Sequence, residues 1–229
     1  MSLAQALVLF DIDGTLLRRA GEDHKNALIE GIRRVTGVET SFKGISTAGM
    51  LDCDLIRAML EAAGHTGAGA GAGEREEILH ECQSFYCANC DVDLRSALCP
   101  GVPGVLEELR GRGAVMGLVT GNLSRIGWRK MELAGIRDYF AVGGFAEDGA
   151  TRSEVARVAR ERAAAQGLIE AERRTCLIGD HPNDIRAARA NGFLAVAVAT
   201  GVIGREELAA AAPDVLVTTL EQLRAEQIL

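Results

Sequence analysis

The stretch from Ala6 to Leu17, ALVLFDIDGTLL, constrains the fold more than any other part of the chain. Leu7, Val8, Leu9 and Phe10 form a continuous apolar run. A run of this length without alternation suits a strand buried on both faces of a parallel sheet. Asp11 and Asp13 then stand at its carboxyl end, and Gly14-Thr15 breaks the pattern. In open α/β sheets, ligands bind at that edge. Two carboxylates this close repel each other unless a cation or a proton offsets the charge. The plain alternative is a polar turn in which Asp and Gly are only turn formers.

The segment after this strand has a different character. Leu28, Ile32 and Val35 recur at helical spacing, and Gly37 suits a helix stop. Residues 41–50 read as a loop. Leu51, Leu55, Ile56, Met59 and Leu60 make a second helical face. Residues 64–73 alternate Gly and Ala too densely for a stable helix and read as a flexible loop. They lack a preceding strand and a Gly-Lys-Ser/Thr ending, so a phosphate-cradling loop is a poor reading. A third helix is expected from about Glu74 to Asn89, with Ile78, Cys82, Phe85 and Tyr86 on one side. No strand is expected between residues 18 and 96.

The pattern changes at Pro100-Gly101-Val102-Pro103-Gly104, read as a return linker. From there apolar strands alternate with helical stretches. Strands are expected at 114–119, 139–142, 175–178, 194–199 and 215–217. Helices are expected at 105–109, 124–134, 151–166, after Pro182, and at 205–211. Thr151-x-x-Glu154 is a capping box that starts one of them. Such alternation implies right-handed crossovers and a mainly parallel sheet.

Three of the apolar strands end in polar residues: Asp11/Asp13, Thr120/Asn122 and Asp180. In a parallel sheet these ends share one edge, so distant segments can build one site. Asp11, Asp13 and Asp180 would form an oxygen-rich cluster suited to a hard cation. Magnesium fits best, with water and substrate phosphate completing its octahedron. A carboxylate can also act as a nucleophile, and a second acid can protonate the leaving oxygen.

Asp11-Ile-Asp13-Gly-Thr15, Thr120 after Gly117-Leu118-Val119, and Gly179-Asp180-His-Pro-Asn183-Asp184 together resemble the first, second and fourth motifs of the haloacid dehalogenase-like hydrolases. The resemblance implies a Rossmann-like core, α/β with a mainly parallel sheet flanked by helices, plus a small all-helical cap domain. Residues 1–17 and 97–229 would be the core and 18–96 the cap. By the same resemblance Asp11 is the nucleophile and Asp13 the general acid/base. Asp13 would also offer its backbone carbonyl to Mg2+. Asp180 would bind the metal directly, and Asp184 would act on it from behind or through water. Thr120 and neighbouring backbone N–H groups, including that of Gly121, would hold phosphoryl oxygens. Asn122 either assists or closes the turn after the strand.

The third motif departs from the family pattern, which has a lysine there. The lysines here are Lys25, Lys43 and Lys130. Arg152, at the start of the helix after Thr151, is the first candidate to replace it. Lys130 is the second, and would have to reach back to the site.

Other residues point less clearly. Cys87-x-x-Cys90, with His80 and Cys82 nearby, has metal-ligand spacing. No second Cys-x-x-Cys exists, so packed or exposed thiols are the better reading. His181 falls either at the site rim or on a surface loop, and Trp128 reads as packing. Thr47-Ala48-Gly49-Met50 and Asp52 lie where similar proteins face their substrate.

The resemblance implies a Mg2+-dependent phosphatase acting on a small phosphorylated metabolite through an aspartyl-phosphate, similar to phosphoglycolate phosphatases. A sugar-phosphate mutase would use the same aspartate pair. Dehalogenation needs neither an acid at position 13 nor a metal. Phosphonate cleavage would need a cap lysine, and Lys25 and Lys43 are not compelling. A phospho-accepting regulatory domain is the non-enzyme alternative, but it needs neither a lid nor a leaving-group acid. The formal net charge of −7 makes nucleic acid a poor partner. No membrane span or export signal is expected, so a cytoplasmic location with reduced thiols is.

Overall fold

The computed structural model describes residues 6–18, 21–65, 72–170 and 173–229. Six parallel strands form one sheet in the order β3-β2-β1-β4-β5-β6. They are β1 (Ala6–Phe10), β2 (Val115–Val119), β3 (Phe140–Gly144), β4 (Arg174–Gly179), β5 (Leu194–Val198) and β6 (Val215–Val217). The chain winds outward from β1 through β2 to β3, then returns beside β1 as β4 and winds the other way. The reversal between β1 and β4 opens a crevice at their carboxyl ends.

Every residue of β1 is buried. Leu7 and Leu9 join one apolar core, and Val8 and Phe10 the other. This is the two-fold alternation of a strand covered on both faces. Helices α6 (Arg152–Ala165) and α7 (Pro182–Ala190) pack into the first core, with Val155, Ala159, Ile185 and Ala188 facing the sheet. Helix α4 (Val102–Gly111) packs into the second through Val102, Val105, Leu106 and Leu109. Helices α5 (Ser124–Leu133) and α8 (Arg205–Ala210) complete the layers.

Between β1 and β2 lie α1 (Glu22–Thr36), α2 (Asp52–Ala62) and α3 (Ala72–Asn89). Among the described residues of this stretch there is no named strand. Leu28, Ile32, Ile56, Met59, Ile78 and Cys82 are buried together. At Gly31 an added Cβ would lie 2.3 Å from the Cys82 Sγ, so glycine is what lets α1 and α3 approach. Where the chain leaves the sheet after β1 and returns before α4, Leu17 and Leu98 form an antiparallel bridge. Arg18 N–H donates to Ala97 O and Cys99 N–H to Leu16 O, both at 2.9 Å.

Some boundaries differ from expectation. The strand expected from Tyr139 begins at Phe140, because residues 137–139 form a 3-10 turn. The Pro/Gly linker is shorter than expected. Helix α4 already starts at Val102, with Pro103 in its first turn, where a missing N–H costs nothing. Residues 66–71 of the Gly/Ala run lie outside the described residues. No helix of the described residues is long and apolar enough to cross a membrane.

Candidate active site

The carboxyl ends of β1, β2 and β4 converge on a cavity of about 290 Å³. Asp11, Asp13, Thr120, Gly121, Asn122, Arg152 and Asp180 all line it. Asp184 sits directly behind, one turn into α7 and almost fully buried. All eight residues singled out in the sequence therefore meet at one sheet edge.

The two carboxylates of the first strand end are shared between two different cations. Asp11 is buried, and its Oδ1 accepts from Arg152 Nη1 at 2.9 Å. Arg152 Nη1 also reaches Val119 O at 3.3 Å, and its Nε lies 3.4 Å from Asp184 Oδ1. The last approach lacks hydrogen-bond geometry: both atoms are buried with no partner. Asp13 instead receives Lys130 Nζ on Oδ1 and Oδ2 at 2.9 and 2.8 Å. Asn122 Nδ2 adds a bond to Asp13 Oδ2 at 2.7 Å. Arg152 thus holds the place beside Asp11, and Lys130 the place beside Asp13.

Local sequence explains each placement. Thr151 Oγ1 accepts from Glu154 N–H at 3.2 Å and Glu154 Oε2 accepts from Thr151 N–H at 3.2 Å, fixing the start of α6 under the strand ends. The next residue, Arg152, is thereby aimed inward. On α7, Asp184 Oδ2 accepts from His181 N–H at 3.1 Å, which turns the other oxygen toward Arg152. Gly14 has φ 97°, and a Cβ there would lie 2.2 Å from Asp180 Oδ2, so the turn after β1 requires glycine twice over. Thr15 Oγ1 donates to Asp180 Oδ1 at 3.3 Å.

Asp11, Asp180 and Asp184 each present an oxygen within 4.8 Å of the others, and all three are buried. Burial first, then the neighbouring carboxylates against the opposing pull of Arg152, holds Asp11 well above the usual carboxylate range. Burial and Asp184 push Asp180 up to about 7. One guanidinium does not balance three buried carboxylates. Together with the unpartnered Asp184 Oδ1, this is the donor set and charge deficit that a hard divalent cation would fill. The residues present therefore fit Mg2+. The Asp13 carboxylate lies outside this cluster. Burial alone would raise its pKa, but Lys130, with Asn122, holds it below the usual range.

Thr120 is buried, and its Oγ1 accepts from Asn122 N–H at 3.3 Å and Asn122 Nδ2 at 3.0 Å. Asn122 Oδ1 accepts from Lys130 at 2.5 Å. The Asn122 amide is therefore engaged on both ends within the protein. At Gly121 a Cβ would lie 2.3 Å from Met50 O, which explains the glycine between them.

The helical segment supplies the other wall. Thr47, Ala48, Gly49, Met50 and Asp52 line the cavity, as do Phe42, His24 and Lys25. His181 also lines it, and its Nδ1 caps α7 by accepting from Asn183 N–H at 3.1 Å. His24 carries no signal of its role in the sequence. It lies on a separate helix, and no spacing links it to Asp13. The cysteines took no part: all six are free, with Cys87 Sγ near Arg125 O and Cys90 Sγ near Asp23. Trp128 packs edge-on to Phe145, with ring centroids 5.3 Å apart.

Residues 6–192 match the family model for haloacid dehalogenase-like hydrolase, and the chain belongs to that family. A curated relative, the phosphoglycolate phosphatase of Synechococcus elongatus, is 32% identical over 126 residues, which are 55% of this chain and 57% of that protein. The match thus spans little more than half of the relative's length. Among solved structures, a β-phosphoglucomutase from Clostridium difficile superposes with a TM-score of 0.71 at 20% identity, covering 99% of this chain and 96% of that one. CbbY from Rhodobacter sphaeroides, solved in complex with phosphate, gives 0.68 at 20% identity and 99% coverage of both. At these identities the superpositions show the shared fold.

Proposed function

We propose that this protein is a Mg2+-dependent phosphatase that hydrolyses a small organic phosphate monoester through an aspartyl-phosphate on Asp11. The observation that carries this reading is the division of labour between the two neighbouring aspartates. Asp11 faces Arg152 and the carboxylate cluster, whereas Asp13 faces Lys130 and Asn122. One carboxylate is set beside the charges that a phosphoryl group needs, and the other beside a separate proton-handling network.

Bound at Asp11, Asp180 and Asp184, with the Asp13 backbone carbonyl, Mg2+ would offset the charge of both carboxylates and phosphate and orient the phosphoryl group. The Asp11 carboxylate forms the new O–P bond as the bond to the leaving oxygen breaks. Arg152, Thr120 and the Gly121 backbone N–H take up charge on the phosphoryl oxygens. Asp13 gives the departing oxygen its proton, then takes one from the water that attacks the aspartyl-phosphate and frees Asp11.

The small cavity and the wall supplied by α1, α2 and the loop before α2 support a small substrate. We assign α1–α3 the role of a cap that excludes water, with the core formed by the rest of the chain. The curated relative's name supports a phosphatase. The β-phosphoglucomutase likeness keeps a sugar-phosphate mutase as the second reading. Incubation of the protein with a panel of small phosphate esters and Mg2+ tests the proposal. Stoichiometric release of inorganic phosphate is expected. Isomerised phosphate ester without phosphate release would establish the mutase instead, and inertness toward every ester would refute both.

A further inference from the structure

Lys130 is a lysine with no access to solvent, in the last turn of α5. An ammonium group carries N–H donors and no acceptor, and burying one is costly unless each donor finds a partner. Here the partners are complete: Asp13, Asn122 Oδ1, and His24 Nδ1 at 3.2 Å. Since the ammonium can only donate, His24 Nδ1 accepts and its ring proton resides on Nε2. That nitrogen in turn donates to Asp52 Oδ2 at 2.9 Å. The same Asp52 oxygen accepts from Leu123 N–H at 2.9 Å, and Asp52 N–H donates to Gly121 O at 2.7 Å.

This series runs across the molecule. Asp13 belongs to the end of β1 and Lys130 to α5. His24 belongs to α1, and Asp52 to α2. Asp13, His24, Asn122 and Asp52 line the cavity, but Lys130 does not. It lies behind them and cannot touch a substrate there. Whatever it does for the reaction, it does through Asp13.

We propose that Lys130 is the positioning residue for the acid–base Asp13, and that His24 and Asp52 make this positioning depend on the placement of α1 and α2. The inference rests on the phosphatase reading above. Lys130 grips both Asp13 oxygens, while Asn122 braces the carboxylate and the ammonium at once. The ammonium has three N–H donors for these three oxygens and His24 Nδ1, so its donors are shared and His24 ties the group to α1. If α1 or α2 shifts, the His24 contact is lost and the three donors redistribute over the Asp13 and Asn122 oxygens. The ammonium then settles elsewhere, taking the Asp13 carboxylate out of line with the leaving oxygen. The active arrangement of Asp13 is thus assembled only when the helical segment sits against the core.

The test compares substrates whose leaving groups do and do not need a proton. In Lys130→Met, kcat on an alkyl phosphate should fall on the order of 100-fold, the usual scale of a general acid–base contribution. On p-nitrophenyl phosphate, whose leaving group departs as an anion, the fall should be roughly threefold to tenfold, from slower water attack alone. KM should change little for either. His24→Gln and Asp52→Asn should show the same split between substrates to a smaller degree, and they keep the test available if Lys130→Met does not fold. Equal losses on both substrates in the folded variants would mark the network as merely structural and overturn the proposal. Unchanged kcat on the alkyl ester would do so as well. If the unmodified protein turns over no phosphate ester, the phosphatase reading fails, and this inference falls with it.

Discussion

Replacing Arg152 with methionine should separate the charge at Asp11 from the bulk that carries it. The Arg152 side chain is 9% exposed and that of Asp11 5%, so the pair is screened little by water. The guanidinium makes one charge-assisted bond to Asp11 at 2.9 Å and stands 3.4 Å from Asp184. In the proposed mechanism it faces phosphoryl oxygens that gain charge, and removing one such donor costs about 2–4 kcal/mol. At about 1.4 kcal/mol per tenfold, kcat/KM should fall roughly 30- to 700-fold. Because the proposal places Arg152 at the phosphorus, the loss should be similar on alkyl and aryl phosphates, unlike that of Lys130→Met. Arg152→Lys retains the charge but not the planar fork, and should stay within about tenfold of the parent. The variant also leaves three buried carboxylates with no guanidinium. Its melting temperature should therefore fall without metal and recover with Mg2+ more than the parent's does. The assays are steady-state kinetics on both ester classes and thermal melts with and without Mg2+. Activity of Arg152→Met within threefold of the parent would refute the argument and remove Arg152 from the phosphoryl site.

Three further outcomes are expected. Chelation should abolish turnover and Mg2+ restore it; full activity in excess chelator would exclude a metal at Asp11, Asp180 and Asp184. In rapid quench with labelled ester, Asp11→Asn should trap no phosphoenzyme, whereas Asp13→Asn should hold label on Asp11 and retain more activity on p-nitrophenyl phosphate than on alkyl esters. Label on Asp13 would reverse the roles. Gly14→Ala should weaken Mg2+ binding by titration calorimetry and lower stability, because its Cβ would meet Asp180 Oδ2 at 2.2 Å and its backbone holds φ 97°; wild-type affinity would show that the turn can move.

A continuous apolar run followed by Asp11-Ile-Asp13 was readable because strand burial and strand ends are local properties. The capping box at Thr151-x-x-Glu154 was readable for the same reason. It gave the start of α6 and hence the inward aim of Arg152. The choice between Arg152 and Lys130 was not local. Both are cations near the right part of the chain, and only the packing of α6 and α5 places one on Asp11 and the other on Asp13. Tyr139 looked like strand because aromatic residues favour strands. The preceding turn decided otherwise.

The sequence by itself determined the parallel α/β core, the helical stretch between β1 and β2, and the set of polar residues at one sheet edge. These follow from periodicity, strand ends and turn chemistry, which act over a few residues. The tertiary structure alone decided how charge is shared within that edge. Asp11, Asp180 and Asp184 crowd into a cluster whose carboxylates strain against one another, while Asp13 is drawn off by Lys130. It alone also brought His24 and Asp52 to that lysine from two other helices. Hydrogen bonds and ion pairs depend on ångström-scale distances between elements, and those distances are fixed by how the helices pack on the sheet and on each other.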